Sequence, residues 1–365
     1  MRLTTQRSQH GGDRMRLFSV GPGTPDTASG SGAPAQAVHA TAPLPHPSAP
    51  IPVVGPGIGT GLRVPIGETG IRTFPLILGG AEFGWNTDAE TATRILDRYL
   101  EFGGNAVHTA DSFAAGRSEH IIGRWVATRA NRDDIVLNVR VGGHPDNPGL
   151  GSVNLVRAVE GSLTRLGVDS IDVLYLDGSS DDGSTLEDTL ATAEWLVETG
   201  KIRTLGAFGF TPERLVEARI LASAGYPRIE VLDEPYNLLR RQGFEGDLRL
   251  VAAAQGLAVT PSHALEHGFL SGRHRSKQAL QGVRGMQLRG NINRRGIKVL
   301  RALDIAASEL QVPVAAVAIG WLLAQRTITA PIVNAFATDQ VDELIQGAGV
   351  ALGRAQLAEL TKAAG

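Results

Sequence analysis

The stretch NAVHTADSFAAGRSEHIIG, residues 105–123, predicts a strand, a loop and a helix in direct succession. Its apolar run, Ala106–Thr109, has the composition of a buried strand. Gly116-Arg-Ser-Glu119 has the form of a turn and capping box, with Ser118 as the expected cap of the following helix.

The same succession recurs along the chain. Between the strand-like runs lie amphipathic segments with apolar residues at i, i+3 and i+4, and glycines follow several of them. These segments are Glu90–Phe102, Val153–Leu166, Leu186–Thr199 and Arg214–Ala224. The apolar runs are Pro75–Leu78, Ala106–Thr109, Ile135–Val141, Ile171–Leu176, Ile202–Ala207, Ile229–Asp233, Leu257–Pro261 and Ile328–Val333.

Strand and helix alternating eight times predict an α/β fold, a (β/α)8 TIM barrel. VPIGETGIRTF, residues 64–74, predicts a β-hairpin in front of it. A doubly wound open sheet is the alternative, but it favours a Gly-x-Gly-x-x-Gly turn after its first strand. LILGGAEFG, residues 76–84, lacks that spacing. In such barrels the functional residues lie at the carboxyl ends of the strands.

Composition excludes several classes of function. The 365 residues include no cysteine, which excludes disulfides, thiolate catalysis and cysteine-ligated metal sites. A formal net charge of -2 provides no general attraction for nucleic acid or an anionic membrane. No apolar run reaches the roughly 18 residues of a transmembrane helix. These features predict a soluble cytoplasmic protein without nucleic-acid or membrane partners.

Residues 1–60 are rich in Pro, Gly, Ala, Ser and Thr and show no sustained periodicity. Such a segment buries too little apolar surface to offset chain entropy, so it is predicted to be a disordered extension. Alternatively, the natural protein starts at Met15 or later. Residues 61–365 are predicted to form the barrel domain.

The chain resembles the aldo-keto reductase superfamily from about Arg63 to Ala364. Beyond the motifs quoted above, the resemblance rests on RLGVDSIDVLYL (165–176), TGKIRTLGAFGF (199–210), PYNLLRR (235–241), GFLSG (268–272) and APIVNAFATDQVDEL (330–344). It implies an aldo-keto reductase-type barrel and, as the family expectation, reduction of a carbonyl with NADP as the cofactor.

The resemblance also implies four residues around the carbonyl: an Asp, a Tyr, a Lys and a His. The matching positions here are His108, Phe113, Arg140 and Asp177, so all four differ. A phenyl ring has no hydroxyl, so the proton donor of the family is absent at Phe113.

The three remaining polar residues can still form a reactive group. Arg140 keeps a positive charge and is expected to form a bidentate pair with Asp177. His108 is expected to titrate near neutral pH and to transfer any proton, with Asp177 as its orienting partner. The alternative is that these three side chains only satisfy one another.

The positions that hold the nicotinamide in the family differ as well. The resemblance places Phe208-Gly209 where the family has Ser-Asn, Asp233 in place of a Gln, and Ser262 in place of a stacking aromatic residue. A phenyl ring cannot make the hydrogen bonds of Ser-Asn, and Ser262 offers no ring face. These replacements argue against a nicotinamide held for hydride transfer.

The end of the last strand retains part of a cofactor site. Asn334 replaces the family's Gly, while Gln340 and Glu343 match family residues near the adenine. The helix that begins near Thr338 can hold an anion through its free backbone amides. This region is compatible with retained phosphate binding. The resemblance therefore leaves NADP open as a cofactor, while the residues at the nicotinamide end argue against it.

Other signals near the barrel mouth are weaker. His263 and His267 are four residues apart and would share a face on a helical turn, which suggests a weak metal site, although no metal is expected. The basic stretch 273–298 lacks the aromatic residues that stack bases, so we interpret it as a lid over an anionic ligand. Trp85, Phe113 and Phe208 are expected to form the pocket walls.

Three functions remain open from the sequence. The first is a protein with a remodelled site, in which His108, Arg140, Asp177 and Asp233 bind or transform a polar, possibly anionic, small molecule without standard carbonyl reduction. The second is an NADP-dependent carbonyl reductase that uses His108 as an unconventional acid. The third is a non-catalytic regulatory or scaffold pseudoenzyme.

Overall fold

The computed structural model describes residues 61–179, 182–277 and 282–365. The extension predicted over residues 1–60 lies outside these ranges. Within them the secondary structure follows the predicted order of a hairpin and then alternating strands and helices.

The predicted hairpin is confirmed and closes one end of the barrel. Its strands, β1 (Val64–Pro65) and β2 (Arg72–Thr73), pair antiparallel. Gly67 and Gly70 turn the chain between them with φ of 51° and 76°, values that favour glycine. Ile66 and Ile71 belong to the same buried cluster as inward-facing residues of the barrel strands, so the hairpin seals the amino-terminal end.

Eight parallel strands form the barrel wall, as predicted. Their order is β10, β3, β4, β5, β6, β7, β8, β9. Two backbone bonds, Thr329 N–H to Val259 O at 2.8 Å and Ile332 N–H to Pro261 O at 2.8 Å, join the two outer strands and close the sheet. The strands are β3 (Ile77–Gly79), β4 (Ala106–Ala110), β5 (Val136–Val141), β6 (Ile171–Asp177), β7 (Ile202–Phe208), β8 (Ile229–Asp233), β9 (Ala258–Val259) and β10 (Ile332–Val333).

Helices pack outside this sheet through a continuous buried layer of apolar side chains. Gly167, in the left-handed conformation with φ of 66°, ends the third helix through an N–H bond to Leu163 O. The helices are α1 (Ala89–Glu101), α2 (Arg117–Arg129), α3 (Ser152–Leu166), α4 (Leu186–Glu198), α5 (Pro212–Ser223), α6 (Asp247–Gln255), α7 (Gly282–Arg289), α8 (Arg294–Leu310), α9 (Val314–Leu323), α10 (Thr338–Gln346) and α11 (Arg354–Ala364).

The expected capping role of Ser118 is wrong. Gly116 precedes α2 with φ of 80° and turns the chain there, so Ser118 falls inside the first helical turn. Its hydroxyl donates to Gly80 O at 2.8 Å and lies 2.9 Å from the hydroxyl of Thr109. Glu119 is also buried and forms an ion pair with Arg165 at 2.5 Å. Both side chains therefore tie α2 to the barrel and to α3 rather than capping a helix end.

Within the described ranges, no single helix has the length and apolar composition needed to cross a membrane. The consecutive helices α8 and α9 reach those values only when taken together, and their axes are bent by 96°.

Candidate functional site

A cavity of about 1070 Å³ opens at the carboxyl ends of the barrel strands. Loops after β3, β4, β9 and β10 form its sides, as expected for a barrel of this kind. The sequence-predicted residues that line it are Trp85, His108, Phe113, Arg140, Asp233, Ser262, His263, His267, Asn334, Gln340 and Glu343.

Three other predicted residues do not line the cavity. Asp177 and Phe208 are paired in register at the ends of β6 and β7. Thr338 begins α10. The sequence analysis did not predict several lining residues. Some of these are close in sequence to Trp85 or lie in the basic stretch 273–298, so their positions in the chain could have indicated them. The missed residues include Glu82, Asn86, Ser112, Arg273, His274 and Gln287.

Arg140, near the end of β5, supplies a fixed positive charge beside His108 and Asp233. Its guanidinium carbon lies 4.0 Å from the ring centroid of Phe208 and 5.5 Å from that of Phe113, within cation–π range. Its Nε lies 3.5 Å from Asp177 Oδ2, and this nitrogen is buried without a hydrogen-bond partner. Arg140 and Asp177 thus form an ion pair, as expected, but through a single contact, and the expectation that the pair is bidentate is wrong. Phe113 and Phe208 differ from the family pattern, and both pack against Arg140, which differs from that pattern as well.

Asp177 does not orient His108, contrary to expectation. Its Oδ1 accepts hydrogen bonds from the backbone N–H of Ser179 at 3.0 Å and from the Ser179 hydroxyl at 2.5 Å. Its Oδ2 faces Arg140. The carboxylate is therefore shared between a local turn and the guanidinium, and no hydrogen bond joins it to the imidazole.

His108 is buried in the wall of the cavity between aromatic neighbours. Its ring centroid is 5.9 Å from that of Phe113 and 5.7 Å from that of Tyr175, both in edge-on geometry. Burial, and then the charge of Arg140, lower the pKa of His108 to about 3. The imidazole is therefore neutral at physiological pH, and the expectation that it titrates near neutrality is wrong.

Asp233, the last residue of β8, is a fully buried carboxyl group in the wall of the cavity. Burial raises its pKa to about 6, although the charge of Arg140 opposes this shift. Its Oδ1 accepts the backbone N–H of Ser262 at 2.9 Å, while its Oδ2 is buried and has no hydrogen-bond partner. A carboxyl in this state can accept a hydrogen bond or a proton from a bound molecule.

No tyrosine replaces the missing phenol. The chain has 4 tyrosines, all within the described ranges, and none of them lines the cavity. Each hydroxyl is engaged elsewhere: Tyr99 with Leu76 O at 2.6 Å, Tyr175 with Thr260 at 3.0 Å, Tyr226 with Glu187 at 2.9 Å and Tyr236 with Glu245 at 2.8 Å.

The predicted adenine-side residues make contacts within the protein. Gln340 Oε1 accepts the backbone N–H of Phe336 at 3.0 Å. Glu343 accepts a hydrogen bond from Arg273 at 2.7 Å and joins α10 to the loop after β9. Asn334 Oδ1 is buried without a partner. A Cβ atom built on Gly79 would lie only 2.5 Å from that oxygen, so the Asn334 amide fills the space beside β3.

These side chains do not fit a nicotinamide in the family's position. Phe208 faces a guanidinium instead of offering hydrogen bonds. Ser262 presents no aromatic face, and its buried hydroxyl has no partner. Asp233 places a carboxyl where the resemblance implies a neutral amide. The polar atoms at this end of the cavity thus differ in their hydrogen-bonding groups from those that would bind a nicotinamide.

His263 and His267 lie side by side at the mouth, with ring centroids 4.9 Å apart. They do not share a helical face, because both adopt left-handed φ values of 55° and 56° in an irregular turn. Among the residues described, no group of three or more His, Cys, Asp or Glu side chains is placed to hold a metal ion.

Comparison with known proteins agrees with this architecture. The model of the aldo/keto reductase family matches residues 75–364. An uncharacterized oxidoreductase of Bacillus subtilis is 30% identical over 79% of this chain and 91% of its own length. The norsolorinic acid reductase stcV of Emericella nidulans is 30% identical over 80% of this chain and 78% of its own.

A probable voltage-gated potassium channel subunit beta of Oryza sativa is also similar, with 26% identity over 76% of this chain and 88% of its own. The relatives thus include proteins named as oxidoreductases or reductases and proteins named as channel subunits. Because the family model covers the hairpin-sealed barrel from its first strand to its last helix, the chain belongs to the aldo/keto reductase family.

Proposed function

We propose that this aldo/keto reductase family member binds, and can transform, a small polar molecule in the cavity without tyrosine-dependent carbonyl reduction. The observation that carries the proposal is the packing of Arg140 against Phe113 and Phe208. Where the resemblance implies a phenol and nicotinamide-binding groups, this chain has a guanidinium with two phenyl rings. That arrangement favours recognition of an anionic group over delivery of a proton to a ketone.

The chemistry available to the cavity follows from its charges. Arg140 is a permanent cation, since a guanidinium does not deprotonate in proteins. Neutral His108 can exchange hydrogen bonds but is a weak acid at neutral pH. Asp233 can accept a proton through its free oxygen. Loss of one positioned general acid costs about 10² to 10⁴ in rate, so the family's reaction would be strongly impaired by Phe113 alone.

A second candidate is an NADP-dependent reductase, favoured by the names of the relatives from Bacillus subtilis and Emericella nidulans. It requires an acid other than tyrosine, either His108 or Asp233. The channel-subunit name of the rice relative favours a third candidate, a regulatory protein that acts through its surface.

Titration with NADPH, followed by nicotinamide fluorescence, separates these candidates. We expect no saturable enhancement for the natural protein and no oxidation of NADPH with aromatic aldehydes. A metabolite thermal-shift screen should instead yield a small-molecule ligand whose stabilisation is lost in Arg140→Gln. Arg157→Gln, which changes an exposed arginine on α3, is the matched control and should keep that stabilisation.

The outcomes are distinct. Tight binding of NADPH with turnover would contradict the proposal and establish the reductase. A protein that responds neither to NADPH nor to any metabolite would favour the regulatory candidate. Phe113→Tyr adds a direct check, since a reductase lacking only its phenol should gain aldehyde reduction, whereas a remodelled cavity should not.

A further inference from the structure

We propose that the ligand of this cavity is a hydroxycarboxylate, a short carboxylic acid that carries several hydroxyl groups. This inference rests on the proposed function and narrows it to one chemical class. In it, the carboxylate pairs with Arg140, and the hydroxyl groups bond to Asp233 and its polar neighbours.

A carboxylate on the ligand is inferred from the incomplete pairing of Arg140. Its side chain is only 16% exposed, and its Nε has no hydrogen-bond partner. Asp177 approaches at 3.5 Å, too far for a good hydrogen bond, and its other oxygen is held by Ser179. Ring packing by Phe208 and Phe113 restricts the guanidinium and leaves its in-plane N–H groups as the polar surface. A planar carboxylate matches such donors in pairs.

Hydroxyl groups on the ligand are inferred from a set of buried polar atoms around the same cavity. Asp233 Oδ2 and Asn334 Oδ1 are acceptors, and Ser262 Oγ can donate or accept. His108 Nε2 lies in the same wall, and all four atoms are buried without hydrogen-bond partners. A hydroxyl group donates one hydrogen bond and accepts others, so a polyol chain can satisfy acceptors and donors of this mixed kind. An alkyl chain would leave them unpaired.

The local charge favours one negative group on the ligand. Arg140 has two carboxyl groups near it, Asp177 and Asp233. Burial is the main reason that the pKa of Asp233 is raised, and the charge of Asp177 adds to this shift. A second negative charge on the ligand would meet these carboxyl groups, since Arg273, the other described arginine that lines the cavity, is already paired with Glu343. The volume of about 1070 Å³ admits a six-carbon chain with room for water.

Calorimetric titration with three matched six-carbon probes tests the inference. D-Gluconate has both features, D-glucitol replaces the carboxylate with a hydroxymethyl group, and hexanoate lacks the hydroxyls. We expect gluconate to bind at least about tenfold more tightly than either partner probe. Arg140→Gln should remove its advantage over glucitol. Asp233→Asn should reduce its advantage over hexanoate, and Arg157→Gln should change neither.

Circular dichroism and thermal unfolding of each variant verify that the fold is intact. The inference is overturned if gluconate binds no better than glucitol or hexanoate, or if none of the three binds. A different metabolite whose binding is lost in Arg140→Gln would then leave the proposed function standing. Productive NADPH binding, or the absence of any small-molecule ligand, would contradict the proposed function itself.

Discussion

Two buried carboxylates, one at each end of the barrel, differ in the number of hydrogen-bond and ion-pair partners that they have. Asp172, near the amino end of β6, accepts the backbone N–H of Leu137 at 2.9 Å and pairs with Arg203 at 2.8 Å and Arg132 at 3.0 Å. Asp233, at the carboxyl end of β8, has a single backbone hydrogen bond and one free oxygen.

The difference indicates where buried carboxylates stabilise the fold and where one remains only partly paired. A buried charge with several partners holds neighbouring strands together, whereas a partly paired charge retains a desolvation cost that a bound molecule can relieve. Both ends have the same β/α scaffold, so the contrast comes from side chains alone. In barrels of this kind, the carboxyl ends of the strands host the chemistry.

The largest effect is expected at the amino end. Asp172→Ala leaves Arg132 and Arg203 without their shared partner and should lower the free energy of unfolding by about 3 to 5 kcal/mol. Urea denaturation measures this change, with Asp133→Ala, an exposed aspartate before β5, as the control. Binding at the opposite end should persist. A loss below about 1 kcal/mol would remove the basis of the comparison.

At the carboxyl end, removing a carboxylate should instead raise the free energy of unfolding. Burial raises the pKa of Asp233 from 3.8 to about 6. The contribution of Asp233 to stability is therefore complete below pH 3.8 and is lost as the pH rises through 6, because the ionised carboxyl is poorly solvated. Asp233→Asn should raise the free energy of unfolding by about 3 kcal/mol at pH 8, at about 1.36 kcal/mol per pKa unit.

The same substitution should have little effect near pH 3, where the carboxyl is protonated in both states. Denaturation curves at the two pH values check this, and Asp133→Asn serves as the control. Equal effects at both pH values would mean that ionisation of Asp233 does not account for the change.

A smaller effect is expected from the aromatic packing of Arg140. Phe208→Leu keeps an apolar side chain but removes the ring 4.0 Å from the guanidinium, at a cost of about 1 kcal/mol. The matched variant Phe113→Leu removes a ring 5.5 Å away and should cost less. Chemical denaturation ranks the two, and the reverse order would contradict the assignment of Phe208 as the main aromatic partner.

The smallest effect should come from Ser262. Its hydroxyl is buried without a hydrogen-bond partner, so Ser262→Ala removes no hydrogen bond and should lower the free energy of unfolding by less than about 0.5 kcal/mol. Thr260→Val is the contrast, since it removes the hydroxyl 3.0 Å from Tyr175 OH and should cost about 1 kcal/mol. If Ser262→Ala proved as costly as Thr260→Val, the carboxyl-end hydroxyl would have a structural partner after all.

The backbone architecture could be predicted because it depends on local patterns. The central strands follow the apolar runs closely, and Ile229–Asp233 has the predicted bounds. The last two strands, β9 and β10, are shorter than the predicted runs Leu257–Pro261 and Ile328–Val333, because the sheet closes there through only a few backbone hydrogen bonds. An apolar run indicates burial but not how many residues join a ladder.

The pairing of side chains at the site was harder to predict. An Asp followed two residues later by Ser, as in Asp177-Gly-Ser179, is a common local turn, and that signal could have revealed the engagement of the carboxylate. Nothing local in the sequence shows that Phe208, on β7, would pack on Arg140, on β5. Such contacts depend on rotamers and on packing between distant segments.

By itself, the sequence determined the hairpin, the alternating strands and helices, and the absence of a hydroxyl at Phe113. Each of these depends on residue type and on spacing along the chain. Only the tertiary structure decided that His108 is neutral and that Asp233 titrates near pH 6. A pKa depends on the water and charges removed or brought close by other parts of the fold, and β4, β5 and β8 bring those groups together only when the barrel closes.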